Sequence, residues 1–377
     1  MIVAGEASGD MHAAHLVAEI RRLNPAIEFS GLGGPALKAQ NVFLYHDLTQ
    51  FAVVGFVEVL KHYGEFKRIF HSFLEKAQEV RPTAVILVDY PGFNLRLAKE
   101  LKKLGLKVIY YISPQVWAWK ENRVETIRRF TDKMLVLFRF EEEFYARHDL
   151  KVSFIGHPLI DLIGSPNLNQ PTAQADQPLT IGLLPGSREK EIKSLLPVML
   201  QATSLLRQQL PKTEFVLLKA PTISRSLLEK FTKDWRIPIT IIEDHIYRGI
   251  SQCHLCMVAS GTATLEVAIL NKPMVIIYKT SFLTWLLAKL LIKIPYIGLV
   301  NVVAQKKIVP ECIQFDATGP KIAREILAIY QNPARVSQIK TELEKVRASL
   351  GAPGAGQRAA QEILDNLGTH NVTPINN

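Results

Sequence analysis

Cysteine is scarce. Three residues in 377 exclude a disulfide framework and point to a reducing, cytoplasmic compartment. Cys253 and Cys256 bracket His254 in a C-x-x-C, but no second pair completes a zinc set, and the spacing falls where a helix gives way to a buried strand. No secretory signal, internal repeat or low-complexity block is visible, and no apolar run reaches the roughly 20 residues that a membrane-spanning helix needs. Acidic residues are outnumbered, 35 against 45 Lys and Arg. The resulting charge of +10 favours anionic partners such as phosphorylated lipids, nucleotide diphosphates or nucleic acid. Aromatic-rich RNA-binding motifs are missing, which sets nucleic acid aside.

The length exceeds that at which single cores stop growing, so two domains are expected. Ile2–Ala4 makes a strand barely long enough, as though residues preceded it; the turn Gly5–Asp10 follows, then a helix to about Leu23. Further strands are expected at 28–31, 84–88, 107–112, 133–137 and 152–155, with helical patterns between most of them. After the aperiodic, Pro- and Asn-containing stretch SPNLNQPTAQADQP, a second series follows at 179–184, 214–218, 239–242, 254–258 and 274–278. Alternating strands and helices predict parallel, doubly wound α/β sheets. The expected organisation is a Rossmann-like domain over residues 1–164, a linker over 165–178, a second Rossmann-like domain over 179–350, and a C-terminal helix with a frayed tail over 351–377. Dehydrogenases, sugar-nucleotide epimerases and one class of glycosyltransferases pair two such domains across a cleft, and topology does not choose among them.

Two turns in the second half have the composition of phosphate cradles. Gly186, Ser187 and Arg188 follow a strand and precede a helix, leaving backbone N–H groups for an anion and a guanidinium for a bidentate contact. Ser260, Gly261 and Thr262 repeat the arrangement. Glu266, one turn into the next helix, can accept from two ribose hydroxyls or simply cap the helix. Two such turns in one half converge where open α/β sheets bind ligands.

The first half has no G-x-G-x-x-G. Its chemical candidates are Glu6, Ser8 and Asp10 in the opening turn and Asp89 at the end of the strand AVILVD. A carboxylate ejected there has the place of a general base, with a structural role in the Tyr90-Pro91-Gly92 turn as the equal alternative. Gln115 and Trp117 lie in SPQVWAW, which either shapes an acceptor pocket or pins the domain edge. His157, in Gly156-His157-Pro158, reads as a turn residue.

The segment 281–300, SFLTWLLAKLLIKIPYIGLV, is oily but interrupted by lysines. As a helix, Phe282 to Ile294 would reach only about 20 Å. At about 100° per residue, Lys289 and Lys293 fall close together, opposite Leu283, Leu287, Leu290, Leu291 and Ile294, the pattern of an interfacial helix on an anionic membrane surface. A buried helix with snorkelling lysines is the alternative. Phe56, Leu60, Tyr63, Phe66 and Phe70 form a second stripe, which either packs in the core or faces lipid.

In this order, GEASGD, VVGFVEVL, the strand ending in Asp89, SPQVWAWK, IGHPL, LLPGSREKE, ASGTATLE and WLLAKLLIKIPYIGLVN closely resemble the bacterial lipid-A-disaccharide synthases, over roughly residues 1 to 368. The resemblance implies a GT-B fold of two Rossmann-like domains facing a cleft, with C-terminal helices. The implied activity is an inverting transfer joining UDP-2,3-diacylglucosamine to 2,3-diacylglucosamine 1-phosphate at the inner face of the cytoplasmic membrane. It also implies Asp89 as base, Asn301 at the donor site, no cofactor or metal, and a homodimer with intertwined C-terminal elements. Gly92 departs from the family, which often has an acidic residue there. The rival readings are a sugar-nucleotide 2-epimerase, which leaves the lysine-leucine segment unexplained, and a non-catalytic lipid-binding protein, which leaves the paired cradles unexplained.

Overall fold

The computed structural model describes residues 1–51, 63–119, 121–164, 178–281, 285–286 and 294–368. The chain divides into two units, one formed by residues 1–161 together with the segment from Leu350 onward, the other by residues 162–349.

In the first unit, short apolar runs separated by helices become seven parallel strands: β1 (Ile2–Ala4), β2 (Ser30–Gly33), β3 (Phe43–Asp47), β4 (Val85–Val88), β5 (Val108–Tyr111), β6 (Lys133–Val136) and β7 (Ser153–Phe154). Their order is β3-β2-β1-β4-β5-β6-β7, with Ile2 opposite Ile86 and Val85 opposite Val108. β4 and β5 are buried at every position, the signature of a parallel sheet covered by helices on both faces. The direction of winding reverses between β1 and β4, so the loops leaving those two strands flank a topological switch point.

The second unit repeats the plan with β8 (Thr180–Leu184), β9 (Glu214–Leu218), β10 (Ile239–Ile242), β11 (Leu255–Ala259), β12 (Met274–Tyr278) and β13 (Glu311–Ile313), in the order β10-β9-β8-β11-β12-β13. Its switch point lies between β8 and β11, the strands that lead into the two candidate cradles. Cys253 and Cys256 are free thiols buried in this unit.

Two strands escape the sequence reading. β3 is a half-exposed edge with the burial of a surface ribbon rather than an alternating stripe, and β13 is three residues long. The strand expected at 28–31 forms two residues later.

The C-terminal segment differs more. The helix Pro333–Ser349 buries Ile339, Leu343 and Val346 in the second unit, whereas Ala355–Leu367 belongs to the first and packs on the helix Ala7–Leu23. The contact is close because the approaching residues are small. A Cβ on Gly356 would stand 3.3 Å from Glu19 Cγ, and Ala355, Ala359 and Ala360 are wholly buried. The boundary expected at residue 351 therefore separates a helix from the unit to which it contributes core.

The aromatic stripe on the helix Tyr63–Val80 is also settled in part. Phe66 and Phe70 pack against the first unit's core, Phe70 edge-on to Phe93 at 5.5 Å. A lipid-facing role is overturned for these two, while Phe56 and Leu60 lie outside the described residues.

Candidate active site

At the switch point of the first unit, β4 ends in two consecutive left-handed residues, Asp89 (φ +44°) and Tyr90 (φ +48°). The adjacent β5 is followed by a third, Ile112 (φ +67°). Such conformations cost roughly 1–2 kcal/mol each in residues with a Cβ, and non-glycine strain of this kind collects at functional sites. Gly5 makes the close approach of the opening turn feasible: a Cβ there would stand 2.1 Å from the Tyr90 ring. Burial pushes the half-buried Asp89 carboxyl up to about 6, and the charge of Glu6 adds to the shift. The Asp89 carboxyl is therefore poised to take a proton near neutrality, with the charge of Glu6 close enough to be felt.

The other residues of the opening turn separate. Ser8 is exposed on the first turn of its helix. Asp10 is buried, and its carboxylate accepts from the N–H groups of Gly34 (2.8 Å), Ala36 (2.8 Å) and Leu37 (3.3 Å). It holds the start of the short helix Pro35–Ala39, which engages a carboxylate that the sequence reading counted among the acceptor or cleft candidates.

Beside Asp89, the segment after β5 carries Gln115, exposed, and Trp117, half-buried. Trp117 donates through Nε1 to Glu141 (3.2 Å) and packs edge-on to Phe140. Glu141 is almost wholly buried; burial raises its carboxyl to about 7 against the hydrogen bonds from Phe138 N–H, Trp117 and Ser113 that oppose the shift. Ser113 also shares a 2.6 Å hydrogen bond with the Tyr145 hydroxyl. Sequence reading missed Glu141, whose signal was no more than a Glu in the first turn of a helix.

The second unit answers the cradle expectations unevenly. Gly186 is left-handed (φ +115°) as a tight turn demands, but the N–H groups of Ser187 and Arg188 already donate to Glu191 Oε2, at 2.9 and 3.2 Å. Glu191 thus occupies an anion position as the third residue of a capped helix, a spacing that was legible in Arg188-Glu189-Lys190-Glu191. The Arg188 side chain is 76% exposed and 3.6 Å from the same carboxylate. The second turn is more open. Among the described residues the N–H groups of Gly261 and Thr262 meet no acceptor, and nothing lies within 4 Å of where a Gly261 Cβ would stand. Ser260 Oγ donates to the Ile297 carbonyl (3.0 Å). Glu266 is half-buried and raised by burial; Tyr247, unforeseen from sequence, is pushed up to about 12 by burial and by the charge of Glu266.

Asn301, expected at the donor site, has its amide engaged within the second unit. It is wholly buried; Nδ2 donates to Val309 O and Glu311 Oε1 (2.9 and 2.8 Å), and Oδ1 accepts from Ile308 and Val309 N–H (2.9 and 3.1 Å). With both ends of its amide engaged, it supports the backbone next to the second cradle. Glu311 extends that support by accepting from the N–H groups of Ile297 and Gly298.

His157 keeps its turn role: Nδ1 accepts from Leu159 N–H (3.2 Å), and burial drives the imidazole down to about 3, uncharged at neutral pH. The IGHPL motif around it is a dock for the C-terminal segment. His157 N–H donates to Leu350 O (2.8 Å), Asp161 accepts from Gly354 and Ala355 N–H at the start of the last helix, and Arg358 donates to Ile155, Pro353 and Ala352 carbonyls.

Of the oily segment, Leu283, Leu287, Lys289, Leu290, Leu291 and Lys293 lie outside the described residues; Ile294 is half-buried. Trp285 meets Phe315 edge-on, and Phe315 is 68% exposed. Among the described residues no helix is long and apolar enough to cross a membrane, and no group of three His, Cys, Asp or Glu is placed to hold a metal ion.

Two parallel, doubly wound sheets, each with its own switch point, give this chain the GT-B fold. The same fold is found in UDP-GlcNAc 2-epimerase from Neisseria meningitidis bound to UDP-GlcNAc (TM-score 0.64, 12% identity, covering 97% of this chain and 99% of that one). MurG of Acinetobacter baumannii has it too (TM-score 0.62, 15% identity, 97% and 98%). Residues 1–363 match the lipid-A-disaccharide synthetase family, and the chain belongs to it. The lipid-A-disaccharide synthase of Geobacter sulfurreducens is 42% identical over 373 residues, covering 98% of this chain and 97% of that protein. Lipid-A-disaccharide synthase 1 of Legionella pneumophila strain Lens is 41% identical over 361 residues, with 94% of each covered. The epimerase likeness, at 12% identity, is one of fold.

Proposed function

We propose that this chain joins UDP-2,3-diacylglucosamine to 2,3-diacylglucosamine 1-phosphate, giving the β-1′,6-linked disaccharide 1-phosphate and UDP. Family membership over residues 1–363 carries this reading, and the chemistry of the two switch points supports it. The acceptor 6-hydroxyl attacks the donor's anomeric carbon from the face opposite UDP. Asp89 takes the hydroxyl proton as the new C–O bond forms and the bond from the anomeric carbon to the diphosphate oxygen breaks. Negative charge collects on the departing UDP. Arg188 and the N–H groups of Gly261 and Thr262 offset it, and Glu266 accepts from the ribose hydroxyls. The diphosphate displaces Glu191 from the first turn, where the Ser187 and Arg188 N–H groups then serve the ligand. Charge stabilisation by a guanidinium and backbone N–H groups makes the reaction metal-independent.

Attachment is peripheral, on the inner face of the cytoplasmic membrane, through the lysine-leucine segment, since both substrates carry acyl chains. The test is incubation with the two diacylglucosamine substrates, alongside UDP-GlcNAc and a liposome-only control. Disaccharide 1-phosphate and UDP are expected. Epimerised UDP-GlcNAc, or liposome binding without turnover, would replace this reading with one of the rivals.

A further inference from the structure

We infer that Asn94 and the Tyr110 hydroxyl are positioning residues for the reaction, which hold Asp89 in its working orientation by gripping its backbone carbonyl. This rests on Asp89 being the base. Asn94 Nδ2 donates to the Asp89 carbonyl at 2.8 Å and to the Val88 carbonyl at 3.1 Å. The Tyr110 hydroxyl donates to the same Asp89 carbonyl at 2.5 Å. Two elements, the first turn of the helix Pro91–Lys103 and strand β5, therefore converge on one oxygen.

That oxygen belongs to the first of two consecutive left-handed residues, a conformation that persists only where surrounding structure over-determines it. The Asp89 N–H is fixed as well, donating to Tyr111 O at 3.0 Å, and Asn94 N–H donates to the Tyr90 carbonyl at 3.0 Å. The turn is thus held from both sides, and the direction in which the Asp89 side chain leaves the sheet is set by those bonds.

Asn94 is an unusual choice for core stability alone. It is wholly buried between Phe93 and Leu95, and its Oδ1 has no hydrogen-bond partner among the described residues. An apolar residue would fill the space without an unsatisfied buried acceptor. What an apolar residue lacks is the donor that reaches Asp89. Similarly, Tyr110 is buried to its ring, and phenylalanine would pack equally well there apart from the hydroxyl.

The experiment compares Asn94→Ala and Tyr110→Phe, each in the otherwise native chain and in Asp89→Asn. It measures kcat and KM for both substrates, UDP affinity by calorimetry, and melting temperature. Asn94→Ala is expected to lower kcat on the order of 10²-fold, since a misplacement of about 1 Å has that effect. Tyr110→Phe should act in the same direction by less, with donor KM and UDP affinity unchanged for both. In the Asp89→Asn background neither should lower kcat further, because residues acting through one group are not additive. Native kcat in both folded single variants, or an undiminished loss in the Asp89→Asn background, overturns the inference. If Asn94→Ala fails to fold, Tyr110→Phe decides alone. A failure of the base assignment has a different signature, near-native turnover by Asp89→Asn itself.

Discussion

Asp89 combines three properties that one residue seldom has by chance: the end of a fully buried strand, a left-handed backbone, and a carboxyl raised to about 6 by burial with Glu6 adding to it. A base must be unprotonated to act, so kcat should fall as pH drops through about 6 and level off above it. Glu6→Gln removes the second cause and should move that limb to lower pH, whereas an unmoved limb would assign it to another group. Asp89→Asn preserves shape without a proton acceptor, and kcat should fall by roughly 10²- to 10⁴-fold with UDP affinity kept. Arg188→Ala should weaken UDP by about 1.5–3 kcal/mol and leave uridine unaffected. Calorimetry with both ligands separates a phosphate contact from a general loss of the site.

At the scale of elements, the loops matter more than the strands they leave. The two cradle turns look alike in sequence, yet one has its N–H groups answered by Glu191 and the other has them open. The difference comes from where the next helix places a carboxylate. In the Asp89 turn, Gly92 is exposed on the helix Pro91–Lys103 with nothing within 4 Å of a Cβ. Gly92→Asp should therefore fold without strain. It replaces glycine in a helix and sets a negative charge at the helix's positive end, so a gain of about 0.5–1.5 kcal/mol is expected in chemical denaturation. A loss would show that the turn needs glycine for a reason other than space.

For the molecule as a whole, the chain's return to its first unit is the organising event. Arg358 closes it with three hydrogen bonds to backbone carbonyls on both sides of the crossing, and Ile363 and Leu364 are buried beyond it. Arg358→Ala should release the last helix, costing roughly 1.5–3 kcal/mol and exposing residues 355–367 to hydrogen exchange while the second unit's sheet stays protected. At the same scale, Leu287→Ser with Leu291→Ser should reduce flotation with anionic liposomes and raise the apparent KM for dispersed lipid, at an unchanged melting temperature. A large drop in melting temperature with flotation intact would place the segment in the core and withdraw the membrane surface.

Sequence by itself determined the two sheets except for their edge strands β3 and β13, because parallel strands buried on both faces need unbroken apolar runs and helices between them need their own period. It marked Asp89, where such a run ends in a carboxylate, and both cradle turns, where Gly and Ser follow a strand. What it could not determine are relations between residues far apart in the chain. Asn301 reads as a polar residue after an oily segment, and only folding shows its amide engaged at both ends by residues 308–311. Asp10 sits in a motif that looks catalytic, and its oxygens go to N–H groups some 24 to 27 residues away. Asn94 and Tyr110 carry no pattern at all, since a hydrogen bond to another residue's carbonyl imposes no periodicity. The last helix reads as an appendage because its amphipathic face says that it must be covered, but not by which unit; the close fit of small residues against the helix Ala7–Leu23 decides that in three dimensions.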